Sequence, residues 1–141
     1  MKKGIITALL LLSGMTFSVT GQDTNEMIRK EVASSLSEAE LMYRDLHQNP
    51  ELSLMEFKTA VKMADALKRL GFEVTTGVGG NGVVGIYRNG DGPVIMLRTD
   101  MDALPVRETT GLPFASTVRV TADDGTETPV MHACGHDLHM T

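Results

Sequence analysis

The 141-residue sequence holds a single cysteine, so it cannot close an intramolecular disulfide, and a disulfide-stapled scaffold is excluded. No apolar run reaches the roughly 20 residues needed to cross a bilayer. Large basic clusters are missing too. Lys and Arg number 13 against 18 Asp and Glu, a formal net charge of −5, and no patch of cations could neutralise a phosphate backbone. A nucleic-acid partner is therefore not expected. What is present is a 42 % apolar composition in a chain of single-domain length, enough to bury a core and incompatible with wholesale disorder.

The first 21 residues read as an address. Met1-Lys2-Lys3 supplies a positive start, Ile5 to Leu12 an apolar stretch broken by Thr7, and Val19-Thr20-Gly21 a small-residue cleavage signature. We read residues 1–21 as a secretory signal peptide and residues 22–141 as the mature chain, exported to periplasm or medium. The apolar centre is too short for an anchor, and no cysteine follows it to carry a lipid, so no membrane contact is expected after cleavage. The competing reading is an N-terminal helix of a cytosolic protein, which leaves the abrupt polar switch at Gln22-Asp23 without a reason.

After this segment the pattern is helical, then β-rich, as in an α/β fold. Ile28, Val32, Leu36, Ala39, Tyr43 and Leu46 recur at steps of three and four, which predicts an amphipathic helix over Asn25–His47 that stops at Asn49-Pro50. A second helix is expected from Ser53-Leu54-Met55-Glu56, with Ser53 and Glu56 as a capping box, an inner face of Phe57, Ala60, Val61, Ala64 and Leu67, and a stop at Gly71. Strands are expected at Phe72–Thr76, Val83–Arg88 and Val94–Thr99. The last two should form a hairpin about Asn89-Gly90-Asp91-Gly92. Val94-Ile95-Met96-Leu97 is apolar at every position, as in a central strand covered on both faces. Thr109–Pro129 is polar and reads as a surface excursion with a turn at Asp123-Asp124-Gly125.

Two clusters carry chemistry. Gly80-Asn81-Gly82-Val83-Val84-Gly85 matches a dinucleotide-binding pattern, but its glycines lead into a strand, so it reads as a turn between strands. Met131 to His139 is different, since it concentrates three of the four histidines and the one cysteine. Thiolate and imidazole suit zinc and similar divalent ions, and Cys134 and His136, one glycine apart, can face one ion. Two other readings stay open: a nucleophilic Cys134 activated by histidine, or a buried thiol beside solvated histidines. An exported thiol is better protected when coordinated, which favours the metal.

The second cluster is Arg98 to Pro105, where the apolar run 94–97 gives out. Extended backbone would place the carboxylates of Asp100 and Asp102 on one side, at a strand end where α/β folds form ligand crevices. One of them could ligate a metal or hold a ligating histidine. A polar turn with Arg98 neutralising the pair is the alternative.

Three stretches in order, Leu46-His47-Gln48-Asn49-Pro50-Glu51-Leu52, Leu97 to Pro105, and His132-Ala133-Cys134-Gly135-His136-Asp137, resemble the N-terminal motifs of metal-dependent amidohydrolases of the aminoacylase and carboxypeptidase superfamily. That group includes hippurate hydrolases, N-acyl-amino-acid deacylases and auxin-conjugate hydrolases. The resemblance runs from about Asn25 to Thr141 and implies the N-terminal part of a layered α/β metallohydrolase catalytic domain. It further implies a dinuclear zinc or manganese site, with Cys134 and His136 as metal ligands and Asp102 as the supporting aspartate of the catalytic site. Asp100 stands where many relatives carry a ligating histidine. The implied reaction is hydrolysis of N-acyl amino acids, small molecules, to a carboxylate and a free amino acid. The family's adjacent glutamates, one of them the general base, have no match here, and the lid domain that mediates dimerisation is absent. The expectation is thus a truncated amidohydrolase, with a non-catalytic remnant that binds metal weakly or pairs with a partner chain as the alternative.

Overall fold

The computed structural model describes residues 21–121 and 125–141. Of the signal peptide expected over residues 1–21, all but Gly21 lies outside these residues, as does the Asp123-Asp124 part of the expected turn. Two compact units divide the chain, Met1–Ser35 and Leu36–Thr141. The described part of the first is the leading stretch of α1, a 28-residue helix over Gly21–Gln48.

Among the described residues, the apolar stripe along α1 is covered over its last turns. Ile28 and Val32 in the first unit are exposed, as is Leu36 in the second, whereas Tyr43 is half-buried and Leu46 fully buried. The helix ends as its sequence predicts. The Asn49 amide donates to the Asp45 and Leu46 carbonyls, its side chain donates to Asp45, and the buried Pro50 turns the chain away.

The second helix, α2 over Phe57–Arg69, does not start with the expected capping box. Its free N-terminal amides are satisfied from outside the helix. The Glu51 carboxylate accepts from the Lys58 and Thr59 amides at 3.1 and 2.8 Å and from the Thr59 hydroxyl at 2.8 Å. Ser53 makes no side-chain cap, because the chain turns at Leu54 with φ of 66° and the helix begins three residues later than the box requires. Glu56 instead accepts a hydrogen bond from Asn81. The inner face is rotated from the predicted one: Thr59, Met63 and Ala64 are buried, while Phe57 and Val61 are about 60 % exposed. Gly71, at φ of 86°, closes the helix.

Two strands follow, β1 over Glu73–Val78 and β2 over Gly82–Ile86, paired antiparallel from Glu73↔Ile86 to Val78↔Gly82 across a short glycine turn. Helix α2 packs on both strands. A Cβ at position 85 would fall 3.1 Å from carbons of Leu67 and Phe72, so the helix can approach β2 this closely because Gly85 has none. The expected hairpin between Val83–Arg88 and Val94–Thr99 is not formed. β2 takes its neighbour from β1, three residues away, and Val94–Leu97 lies 82–98 % exposed outside any strand. A run that is apolar at every position needs ladder partners and cover on both faces. The described residues provide neither.

The polar excursion contains structure that its composition hides. Strands β3 over Arg119–Thr121 and β4 over Glu127–Pro129 pair antiparallel, each too short and too polar to show alternation. Within the second unit two isolated bridges, Leu52 with Ala103 and Leu104 with Met131, join distant segments. Ala103 and Val130, on these segments, are core residues together with Leu46, Met63 and Ala64. A last short helix, α3, covers His136–His139. Among the described residues no helix is long and apolar enough to cross a membrane.

The cap assignment makes two substitutions diverge. Glu51→Ala should lower unfolding stability by about 1–2 kcal/mol, the usual cost of losing an N-terminal cap, whereas Ser53→Ala should be near neutral. Urea unfolding followed by circular dichroism checks this, and an equal loss in both variants would restore the capping box.

Candidate metal centre

The bridges that zip the chain also bring the two chemical clusters together. The Ala103 amide donates to the Glu51 carbonyl at 2.7 Å, and Leu104 and Met131 exchange amide and carbonyl at 3.0 Å each. Asp102 is thereby placed beside the Met131–His139 stretch. The Nδ1 atom of His136 lies 2.8 Å from the Asp102 carbonyl oxygen and 3.1 Å from its carboxylate Oδ1. Two oxygens can only accept, so Nδ1 carries the proton and donates to them. The Nε2 lone pair is left to a different partner, the arrangement usual for a metal-binding imidazole.

Cys134 is exposed, and Gly135, at φ of 78°, turns the chain from it into α3. His139 is also exposed, with its ring 6.3 Å from that of His136. His132 is the opposite case. It is 4 % exposed, and both its ring nitrogens lack a hydrogen-bond partner. Burial holds its imidazole below the ordinary histidine value, in the neutral form. An orphaned buried imidazole is rare in folded proteins and marks a place for a water or an ion. Asp100, which extended backbone would have aligned with Asp102, instead pairs with Arg98 at 2.5 Å, both side chains well exposed. The alignment required a strand that is not formed here.

The donors fit a divalent ion in kind: a free thiol and an imidazole with a fixed tautomer. They do not fit it in number. Among the described residues no three His, Cys, Asp or Glu side chains are grouped as metal ligands, whereas catalytic zinc ordinarily has three from the protein.

Sequence reading missed a buried ionic cluster behind this turn. At the end of α1, the His47 Nδ1 proton is donated to Asp137 Oδ2 at 2.6 Å, and Nε2 lies 3.1 Å from Glu108 Oε1. All three side chains are almost fully buried. Phe114 sets its ring edge-on to His47, with centroids 5.5 Å apart. Glu108 also accepts from the Thr110 hydroxyl and from the Ser116 amide. Burial alone would depress the His47 pKa, but the hydrogen bonds to Asp137 and Glu108 outweigh it, so the imidazole is more basic than usual. For Glu108, burial raises the pKa, while the bonds from Thr110, His47 and Ser116 reverse this and leave the carboxyl below its usual range. His47 was legible as part of a motif, without a role. Glu108 borders a polar stretch and gave no signal.

A model of peptidase family M20/M25/M40 matches residues 96–141, which include Asp102, Glu108, Cys134, His136 and Asp137. The chain belongs to this family. It is 48 % identical to thermostable carboxypeptidase 2 of Saccharolobus solfataricus over 69 % of its own length and 23 % of that protein's. It is 42 % identical to the hippurate hydrolase of Campylobacter jejuni over 79 % of this chain and 27 % of that one. Among solved structures, the YXEP protein of Bacillus subtilis, described as a dinuclear metal binding peptidase from the M20 family, superposes with a TM-score of 0.62. The identity there is 42 %, over 74 % of this chain and 27 % of that one. The M20 chain thus spans about a quarter of the length of the curated relatives it matches.

The ionic cluster sets a pH window. A raised His47 pKa contributes stability in full below the ordinary value of 6.5, lost as pH rises through the higher folded-state value. A lowered Glu108 pKa contributes above the ordinary 4.5, lost as pH falls through the lower folded-state value. Thermal melting of the chain should therefore decline as pH is raised beyond 6.5, and His47→Gln should flatten that decline. An unchanged alkaline slope in the variant would remove His47 as its source.

Proposed function

We propose that this chain contributes the Cys134 and His136 donors of a metal-dependent amidohydrolase acting on N-acyl amino acids. The observation that carries the reading is the double hold of Asp102 on His136 Nδ1, which presents Nε2 as a free donor one residue from an exposed thiol. Zinc or manganese would be held by Cys134 and His136, two ions in the complete site. Such an ion supplies the positive charge that polarises an amide carbonyl and acidifies water.

The chain's own residues do the orienting. Asp102 fixes the ring and tautomer of His136 and raises its donor strength. Gly135 lets the backbone reverse between the two donors. A general base would be a glutamate, and no pair of adjacent glutamates occurs in these 141 residues. Amide hydrolysis would need such a base beside these donors. The N-acyl amino acid substrate is supported by relatives such as the hippurate hydrolase of Campylobacter jejuni. Export by residues 1–21 to periplasm or medium belongs to the same proposal.

A second reading is favoured by one observation, the absence of a three-donor group among the described residues. In it the chain is a non-catalytic remnant that binds metal weakly or pairs with a partner.

Equilibrium dialysis against zinc or manganese tests the assignment. The chain should bind metal, Cys134→Ser and His136→Ala should each abolish stoichiometric binding, and His139→Ala should not. Unchanged metal content in Cys134→Ser would overturn the ligand set.

A further inference from the structure

Two Asn-Gly pairs occur in the sequence, Asn81-Gly82 and Asn89-Gly90. This dipeptide is open to a reaction of its own backbone. Glycine has no side chain to obstruct its amide nitrogen, which can reach the carboxamide carbon of the preceding asparagine and close a five-membered ring. Closure needs a carboxamide free to rotate and a backbone free to follow it. The fold treats the two pairs in opposite ways.

Asn81 is held. It is half-buried, and its Nδ2 donates to Glu56 Oε2 at 3.0 Å. Gly82 opens β2 and is paired with Val78. A Cβ at position 82 would fall 2.2 Å from the Val78 carbonyl oxygen, so the backbone there has no room to swing. Ring closure would first have to break the bond to Glu56 and the end of the ladder.

Asn89 has none of these restraints. It lies beyond β2 in a run of exposed residues from 86 to 100. Among the described residues nothing hydrogen-bonds to its side chain, and the Gly90 amide is equally unengaged. Gly90 sits at φ of 86°, and a Cβ there would meet no atom within 4 Å. The hairpin that would have pinned this turn is not formed. The neighbouring tether is that of Arg88, which donates to Glu73 at 2.9 and 3.1 Å and stops one residue short.

We propose that Asn89 is a modification site, converted by its own backbone and water to aspartate and isoaspartate, while Asn81 is preserved by the fold. The Gly90 nitrogen loses its proton to solvent and bonds to Asn89 Cγ. The Cγ–Nδ2 bond breaks, and Nδ2 takes a proton from solvent and leaves as ammonia. Water then opens the succinimide. Attack at Cγ gives aspartate, and attack at the backbone carbonyl gives isoaspartate, whose chain runs through the former side chain. One water is consumed, one ammonia is released, and one negative charge is added between Arg88 and Asp91.

Trypsin separates the two pairs, since cuts after Arg69, Arg88 and Arg98 yield peptides 70–88 and 89–98. The full chain is held at 37 °C and neutral pH, folded or in urea, and the peptides are followed by mass spectrometry for a gain of one mass unit. Isomerisation at Asp91 leaves the mass unchanged and does not interfere. In the folded chain peptide 89–98 should convert about tenfold faster or more than 70–88, because opening Asn81 costs at least two hydrogen bonds. In urea the two rates should become similar. The converted 89–98 peptide should resolve into two isomers on reversed-phase chromatography, and Asn89→Gln should remove the conversion. Equal rates in the folded chain, an intact 89–98 peptide while the unfolded chain reacts, or a gain that persists in Asn89→Gln would each overturn the assignment.

Discussion

A buried imidazole between two buried carboxylates is the constraint on which the second unit depends. Removing three ionisable groups from water is costly, and the cost is offset here because each finds a partner of opposite charge and further hydrogen bonds. His47 satisfies Asp137 and Glu108, the Leu138 amide satisfies the other Asp137 oxygen, and Thr110 and Ser116 complete Glu108. These contacts join the end of α1, the stretch before β3 and the start of α3, segments 61 and 90 residues apart along the chain. The rings of Tyr43 and Phe114 and the buried Leu46 add apolar cover at this point.

The same arrangement explains why the clusters of chemistry converge. Leu52 with Ala103 and Leu104 with Met131 carry Asp102 to His136. The cluster at His47 holds the turn from behind. His136 is thus gripped through its ring from one side and through its neighbour Asp137 from the other. His132, in the same stretch, is buried with both ring nitrogens unpartnered.

Local signals were readable in the sequence, and long-range partners were not. The steps of three and four along α1, Asn49-Pro50 at its end, Gly71 after α2 and the turn before β2 each depend on neighbours within a few residues. The failures share one cause, competition from a distant or absent partner. Glu51 displaced Ser53 as the cap of α2 because the bend at Leu54 brought its carboxylate to the free amides. Val94–Leu97 has the composition of a central strand, and composition does not supply the strands that must flank it. At the site, Cys134 and His136 stood out by residue type and spacing, and Asp102 by its motif. The partnership of His47 with Glu108 could not be seen, since a polar stretch with one glutamate looks like solvated surface until folding buries it.

The central claim is that sulfur and nitrogen from Cys134 and His136 bind one divalent ion. X-ray absorption at the zinc edge of the zinc-loaded chain addresses the donors directly. The account predicts a sulfur scatterer at about 2.3 Å and an imidazole nitrogen at about 2.0 Å, both lost together in Cys134→Ser,His136→Ala. A first shell of oxygen alone would contradict it.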